Sequence, residues 1–319
     1  MTFKISAFQE AIAIVNDFAP MMTLLCEYGG WQELHRGQVE PGLLRAWQLF
    51  PEANAEEIVL GNTGIDSGYL RLIRFSNLSQ SVMRANDLSW DYGGTFDFNL
   101  RIKSMESLQP ALSRLGWRGA SEPVEFFLGS SRVKEWLAIN QSHIRFAFIE
   151  RVSPPLQGWE HMQPISQIFN SSQIVQDFTK SMAFYQDILG FQCVVQSGNL
   201  TEQPGPNVLG IPFERAHTEP YQLAILQPDG EMRGSIELVC FEQTKGKDYT
   251  QGNTPPNLGM LGIRFPVQGI EQLEQHLLKH QVPMPVTLSK LELAPYGLVQ
   301  LLAIQTPDGA WLEFYEPCL

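Results

Sequence analysis

Two glutamates lie inside strand-like apolar stretches. Glu237 occurs in Ser-Ile-Glu-Leu and Glu313 in Trp-Leu-Glu-Phe. Because side chains alternate between the two faces of a strand, the apolar neighbours of each glutamate face one way and its carboxylate faces the other. If the fold brings the two carboxylates into one partly closed site, their repulsion raises one pKa and suits proton abstraction next to a carbonyl. The alternative is that both are solvated strand residues.

Other catalytic or metal-binding patterns are weak. His276 and His280 are four residues apart on a predicted helix, which is metal-ligand spacing, but both are expected on its solvated face. His35, His161 and His217 have no partner at such spacing. The sequence has no G-x-S-x-G, phosphate-loop or G-x-G-x-x-G motif. The four cysteines form no C-x-x-C pair and fit a reducing cytoplasm.

Length and charge limit the function further. The 319 residues are enough for two domains, and 44% apolar content is typical of a folded protein. A net charge of -12 argues against nucleic acid or an anionic membrane surface as a partner. No apolar run approaches the roughly 18 residues that a membrane span needs. Gln9 and Glu10 interrupt any signal-peptide core, so a cytoplasmic protein is expected.

The most informative stretch runs from residue 174 to 191. Asp177 can cap a helix whose apolar residues recur every three or four positions, and Gly190 can end it before a strand begins at Phe191. The spacing Asp-x-x-x-Ser-x-x-Phe-Tyr-x-Asp-x-Leu-Gly-Phe resembles the first helix of the vicinal oxygen chelate superfamily, which includes glyoxalase I, extradiol dioxygenases and bleomycin-resistance proteins.

The order strand, helix, then three strands recurs along the chain. It predicts βαβββ modules near 3–78, 93–153, 162–243 and 257–319. An ungapped match between 55–75 and 221–241, with glycines at both turns, indicates an internal duplication. The resemblance implies an α+β fold in which paired modules form two cup-shaped mixed sheets. We predict an N-terminal domain over 1–155 and a C-terminal domain over 156–319, divided at Pro154-Pro155.

In the resembled superfamily, a divalent metal is held by residues from the first and last strands of paired modules. Counting seven residues back from the helix cap places Asn170 and Gly262 at the first-strand positions, while Glu237 and Glu313 occupy the last-strand positions. Both carboxylates are present and both usual imidazoles are missing. No cofactor is therefore expected, apart from a weak divalent-cation site on Glu237 and Glu313.

In the N-terminal cup the corresponding positions hold Glu10, Arg71, Asp97 and either Arg145 or His143. An arginine at a metal-ligand position supplies a fixed positive charge. Glu10 and Asp97 could then pair with Arg71, either as a structural salt bridge or as a site for an anionic or polar ligand.

Three functions remain open from the sequence, so whether the chain is an enzyme stays undecided. The first is a binding protein, similar to bleomycin-resistance proteins, that holds a small molecule in the C-terminal cup near Asn170, Trp311 and Tyr315. The second is a lyase or isomerase that uses Glu313 or Glu237 as general base. The third is a homodimeric interaction module without a ligand.

Overall fold

One unit recurs four times in the computed structural model, which describes residues 2–85, 88–159, 162–202 and 204–318. Each unit has a strand, a helix and then further strands, and its first strand runs parallel to its last. The four predicted modules and the α+β fold class are confirmed.

The elements of the four modules have the following bounds. Module one contains β1 (Lys4–Ile5), β2 (Glu10–Ile14), α1 (Ala19–Met22, continued by a π-helix over Thr23–Tyr28), β3 (Trp31–Gln38), α2 (Pro41–Ala46), β4 (Ala55–Asn62) and β5 (Tyr69–Phe75). Module two contains β6 (Asp97–Ile102), α3 (Met105–Arg114), β7 (Arg118–Gly119), β8 (Val124–Leu128), β9 (Ser131–Ile139) and β10 (Arg145–Ser153). Module three contains β11 (Ile165–Ile174), α4 (Phe178–Ala183, continued by a π-helix over Phe184–Ile188), β12 (Gln192–Leu200), β13 (Tyr221–Gln227) and β14 (Ser235–Phe241). Module four contains β15 (Gly259–Gln268), α5 (Ile270–Lys279), β16 (Val286–Leu293), β17 (Gly297–Gln305) and β18 (Trp311–Pro317).

The sequence indicates both ends of the helical segment that contains α4. Asp177 caps α4 by accepting a hydrogen bond from the Lys180 amide at 3.0 Å, and Ser104 caps α3 in the same way. Gly190, with φ of +78°, follows the π-helical end of α4 and allows the chain to turn into β12. No helix in the described ranges is long and apolar enough to cross a membrane.

The modules pair differently from the prediction. One sheet has the order β16-β17-β18-β15-β2-β5-β4-β3, so it joins module four to module one. The other has the order β12-β13-β14-β11-β6-β10-β9-β7, so it joins module three to module two. The expected pairs, one with two and three with four, are wrong. We call the concave face of the first sheet the outer cup, and that of the second sheet the inner cup.

The reason for this pairing lies at the seam between first strands. Every first strand needs an antiparallel neighbour, and spacing alone does not say which one. Across the seam between β2 and β15, Arg264 is the register partner of Glu10. Both side chains are fully buried, so each needs an opposite charge beside it. Pairing modules one and four brings the Glu10 carboxyl into contact with a second guanidinium group, besides that of Arg71.

The main apolar core contains residues from the helices and strands of all four modules. Leu25, Leu112, Tyr185 and Leu277 represent the four module helices in it. Ile236, Leu238 and Cys240 of β14 also belong to this core, as do Leu312 and Phe314 of β18. The alternation therefore directs Glu237 and Glu313 to the concave faces, as the sequence predicts.

Candidate functional site

Four charged side chains from four strands meet at the centre of the outer cup. Arg71 (β5) donates through Nε to Glu10 Oε1 (β2) at 2.7 Å. Arg264 (β15) donates through Nε to Glu313 Oε2 (β18) at 2.7 Å. Arg264 also donates to Glu10, which therefore bridges the two guanidinium groups. We call these four residues the ionic tetrad.

Aromatic donors complete the coordination of the tetrad. Trp47 and Trp311 each donate an indole N–H to Glu313 Oε1 at 2.9 Å. The Tyr296 hydroxyl donates to Glu10 Oε2 at 2.8 Å. All four tetrad side chains are 0% exposed, so solvent has no access to them.

Within the tetrad, each carboxyl group pairs with a guanidinium group. Burial alone would raise the pKa of Glu10, but Arg71 and Arg264 outweigh it and hold that pKa below its ordinary value. Burial would lower the pKa of Arg71, yet Glu10 and Glu57 raise it above the ordinary range. Paired charges of this kind hold strands in register and leave little for a ligand to bind.

The outer cup is also filled by its own chain. Leu43 and Leu44 of α2 pack beside Trp47, and they belong to one buried cluster with Leu291 of β16 and Leu301 of β17. This short helix was not predicted from the sequence. It occupies the space that a guest molecule would need.

The predicted grouping of Glu237 with Glu313 is wrong, because the two residues lie in different cups. A cation site shared by both cannot form for the same reason. Trp311 and Tyr315 do flank Glu313 in the outer cup, but they are only 2% and 4% exposed. These three residues therefore form a closed interior rather than a ligand surface.

Gly262 is not the first-strand site position of module four. That position belongs to Arg264, the register partner of Glu313 across parallel strands. The seven-residue count fails because β15 runs to Gln268, directly before the helix cap at Gly269. Gly262 instead allows close packing, since a Cβ there would lie 1.9 Å from the Trp311 carbonyl oxygen.

The predicted N-terminal cup is divided between the two sheets. Glu10 and Arg71 pair as predicted, in the outer cup. Asp97 lies in the inner cup, where β6 neighbours β11 and β10. Arg145 stacks 4.2 Å from the Phe96 ring centroid, next to Asp97, whereas His143 lies in the preceding turn with φ of +59°.

A row of polar residues crosses three neighbouring strands on the floor of the inner cup. Ser172 of β11 is the register partner of Asp97 on β6 and of Glu237 on β14. Burial raises the pKa of Asp97 to about 6, against the lowering effect of Ser172 and Arg145. Two residues along the strands, Asn99 and Asn170 form a second polar row.

The second row is held by hydrogen bonds between side chains. Asn99 Nδ2 donates to Asn170 Oδ1, and Asn170 Nδ2 donates to Ser235 Oγ at 2.7 Å. Asn170 is 2% exposed, so it fixes the floor rather than projecting from it. Its register partner on β14 is Ser235, two residues before Glu237, and its amide is already engaged.

A third row contains a carboxylate that sequence reasoning missed. Glu135 of β9 is the register partner of Ile149 on β10, which is in turn the partner of Arg101 on β6. The alternation of Val133, Glu135 and Leu137 against Trp136 and Ala138 could have revealed it, since Trp136 and Ala138 belong to the main core.

Glu135 and Glu237 are half-buried and lack neutralising partners. Within the described ranges, neither carboxyl accepts a hydrogen bond or forms an ion pair. Burial and the charge of Asp97 together raise the pKa of Glu237 to about 8. Burial, Glu237 and Asp97 together raise the pKa of Glu135 to about 8, while Arg101 opposes them. Both carboxyls are therefore mostly protonated at pH 7.

Apolar residues border these carboxyls. Ile225 of β13 is the register partner of Glu237, and Val195 of β12 is the partner of Ile225. Ile149 lies beside Glu135. Ile225 and Ile149 are half-buried and Val195 is 38% exposed, so this surface remains accessible. The inner cup thus combines a polar floor with an apolar wall, which is typical of small-molecule sites.

The donor set does not fit a transition metal. In the described part of the chain, no three His, Cys, Asp or Glu side chains are close enough to hold a metal ion. The site positions of the outer cup hold two guanidinium groups, and the inner cup offers amides where imidazoles would be expected. Such groups are poor ligands for zinc or iron.

The histidines form no site in the described residues. The rings of His276 and His280 are tilted to each other with centroids 4.5 Å apart, and His276 Nε2 lies 3.0 Å from the Ile188 carbonyl oxygen. His276 is half-buried, so the prediction that it is solvated is wrong, whereas His280 is exposed as predicted. His35 lies 3.5 Å from Glu57, and His217 is exposed. His161 lies outside the described residues.

Solved structures share this architecture along the whole chain. Glyoxalase I from Zea mays superposes with a TM-score of 0.63 and 14% identity, covering 99% of this chain and 93% of the maize chain. A proposed dioxygenase from Bacillus subtilis superposes with a TM-score of 0.60 and 12% identity, covering 99% and 86%. No protein-family profile and no curated protein matches the sequence. At these identities the likeness shows a common fold.

Proposed function

We propose that this chain, which has the fold of the vicinal oxygen chelate superfamily, binds a small molecule in the inner cup without a transition metal. One observation carries the proposal. Glu135 and Glu237 are half-buried carboxyls without an ion-pair partner in the described residues, and they stand beside an accessible apolar wall. The C-terminal cup that the sequence predicts is replaced here by the cup of modules two and three.

The physical argument concerns unsatisfied polar groups. A carboxyl removed from water costs free energy unless a hydrogen-bonding partner meets it. Because the pKa of each is raised to about 8, Glu135 and Glu237 are mostly neutral at pH 7 and can both donate and accept hydrogen bonds. A ligand with a hydroxyl or carbonyl group would satisfy them, while Ile225 and Ile149 contact its apolar body.

The ligand-binding reading can be tested with a neutral fluorescent probe. N-phenyl-1-naphthylamine should bind the wild-type protein, because its rings fit an apolar wall. Ile225→Trp fills the space beside Glu237 and should weaken binding by about tenfold or more. Leu298→Trp, at an exposed position of β17, is the matched control and should bind as the wild type does. Equal binding by Ile225→Trp would contradict the proposal, as would no binding by the wild type.

A second candidate function is proton transfer, as in a lyase or isomerase, with Glu237 as general base. It is favoured by a pKa near the working pH, where general acid-base catalysis is most effective. Glu313 cannot take this role, because both of its oxygens are engaged and it is fully buried. The wild type should accelerate deuterium exchange at C3 of 2-oxobutyrate, followed by NMR, and Glu237→Gln should abolish the acceleration. Equal rates for both proteins would rule this function out.

A further inference from the structure

Two arginines stand at one end of the inner cup. Arg101 is on β6, in the row of Glu135 and Ile149, and Arg151 is two residues beyond Ile149 on β10. The Arg101 guanidinium lies over the Phe169 ring at 4.7 Å from its centroid. It also lies 5.8 Å from the Trp159 ring centroid. The aromatic rings hold this cation in place without neutralising it.

Neither arginine has an anionic partner in the described ranges. The Nε atoms of Arg101 and Arg151 are buried without a hydrogen-bond acceptor. Neither residue forms an ion pair within these ranges, although Arg101 and Glu135 are near enough to influence each other's pKa. Exposed arginines such as Arg132, which pairs with Glu125 at 2.5 Å, also keep contact with water, whereas Arg101 and Arg151 are half-buried. A half-buried cation without an ion pair loses hydration that no carboxylate replaces.

The positive charges of Arg101 and Arg151 repel each other. Burial and the charge of Arg151 together lower the pKa of Arg101 to about 10, while Glu135 opposes them. Glu135 is itself mostly protonated at pH 7, because its pKa is raised to about 8. Half-buried guanidinium groups in this state gain strongly from an oxyanion, which can accept hydrogen bonds from both.

We propose that Arg101 and Arg151 form a subsite for the oxyanion head of an organic anion, whose apolar body lies along the wall of the inner cup. The inference rests on the proposed function and names the ligand class for that same site. On β6, Arg101 is four residues from Asp97, a separation of about 13 Å along the strand. A ligand of about that length can place its anion at the arginines and a hydroxyl or carbonyl group near Glu237.

Two fluorescent probes separate this inference from the proposed function. 8-Anilinonaphthalene-1-sulfonate has the ring system of N-phenyl-1-naphthylamine with one added sulfonate. Arg101→Gln and Arg151→Gln should each lower the affinity for the sulfonate probe by about tenfold, since a charge-assisted hydrogen bond is lost. The same variants should leave the neutral probe within about twofold of the wild type, because its apolar contacts remain.

Control variants exclude loss of structure as the cause. Arg233→Gln removes an exposed arginine that pairs with Glu231 at 3.2 Å, and it should not change the affinity for either probe. Arg101→Lys keeps a positive charge and should retain more sulfonate binding than Arg101→Gln. Unchanged sulfonate binding in both glutamine variants would overturn the subsite, and so would equal weakening of the two probes. If the neutral probe binds Ile225→Trp as well as the wild type, the proposed function fails instead.

Competition then distinguishes two sources of the oxyanion. 1-Naphthoate presents a carboxylate and 1-naphthyl phosphate presents a phosphate on the same rings. Displacement of the sulfonate probe by either compound, lost in Arg101→Gln, supports the subsite, and the stronger competitor identifies the head group. Failure of both compounds to displace the probe would overturn it.

Discussion

The outer and inner cups have the same strand topology, but their carboxyl groups are paired with cations in the outer cup and not in the inner cup. In the outer cup, Glu10 and Glu313 are fully buried and each contacts a guanidinium group. In the inner cup, Glu135 and Glu237 are half-buried, and neither contacts a cation in the described residues. Two elements account for much of the difference. The helix α2 closes the outer cup, and Arg264 supplies its second cation.

This difference shows how one fold can contain a structural core and a candidate binding surface at equivalent places. A buried charge is tolerated when opposite charges and hydrogen bonds surround it. A half-buried carboxyl without such partners shifts its pKa instead and stays available to another molecule. The outer cup shows the first outcome and the inner cup shows the second.

The largest effect is expected from removing a cation in each cup. Arg264→Met leaves Glu10 and Glu313 buried with one partner fewer and should lower the free energy of unfolding by about 3–5 kcal/mol. Arg101→Met removes from the inner cup a cation that has no ion pair in the described residues, and it should change the free energy of unfolding by less than about 1 kcal/mol. Urea unfolding at pH 7 measures both. Comparable losses in the two variants would contradict the contrast between the cups.

A smaller effect is expected from removing one donor to a carboxylate. Trp47→Phe keeps an aromatic ring but loses the hydrogen bond to Glu313, which should cost about 2 kcal/mol because the acceptor is fully buried. Tyr221→Phe removes the hydroxyl that donates to Glu202 at 2.9 Å in module three, at a half-buried position. Its cost should stay below about 1 kcal/mol. Thermal unfolding followed by circular dichroism measures both costs. A larger loss of stability in Tyr221→Phe than in Trp47→Phe would contradict this prediction.

The smallest effect concerns pH. The pKa of Glu135 rises from its ordinary 4.5 to about 8 on folding. Between these values the folded chain binds a proton that the unfolded chain lacks, so this group's stabilisation is lost as pH rises from about 4.5 to 8. In Glu135→Gln, the free energy of unfolding should therefore fall by about 1–2 kcal/mol less over this pH range than in the wild type, allowing for partial exposure to solvent.

The control for the pH dependence is Glu214→Gln at an exposed position. Its unfolding free energy should follow the wild-type pH curve from pH 5 to 8. Parallel curves for Glu135→Gln and the wild type would mean that Glu135 titrates in the folded state as it does in solution.

Local patterns were sufficient for much of this architecture. Asp177 and Gly190 mark the two ends of the helical segment that contains α4, and strand alternation directs Glu237 and Glu313 to concave faces. Those features depend on neighbours within a few residues, which the sequence displays directly. Glu10 and Arg71 were likewise paired correctly, since both belong to one module.

Which residues meet in each cup depends on contacts between distant parts of the chain. The contact between Glu10 and Arg264 joins modules one and four, and no local spacing encodes it. The seven-residue count placed the site position of β15 two residues too early, so it selected Gly262 instead of Arg264. Glu135 was missed because β9 lies at a position where the superfamily resemblance implies no ligand.

The central claim is that equivalent carboxyls are structural in the outer cup and unsatisfied in the inner cup. Glu313→Gln and Glu237→Gln make the same chemical change in the two places, and urea unfolding at pH 8 compares them directly. Glu313→Gln should destabilise the protein by about 2 kcal/mol or more, because Arg264 loses an anionic partner. Glu237→Gln should stabilise it by about 1–2 kcal/mol, because a carboxyl that resists ionisation is replaced by a neutral amide. Changes of the same sign in both variants would contradict the account.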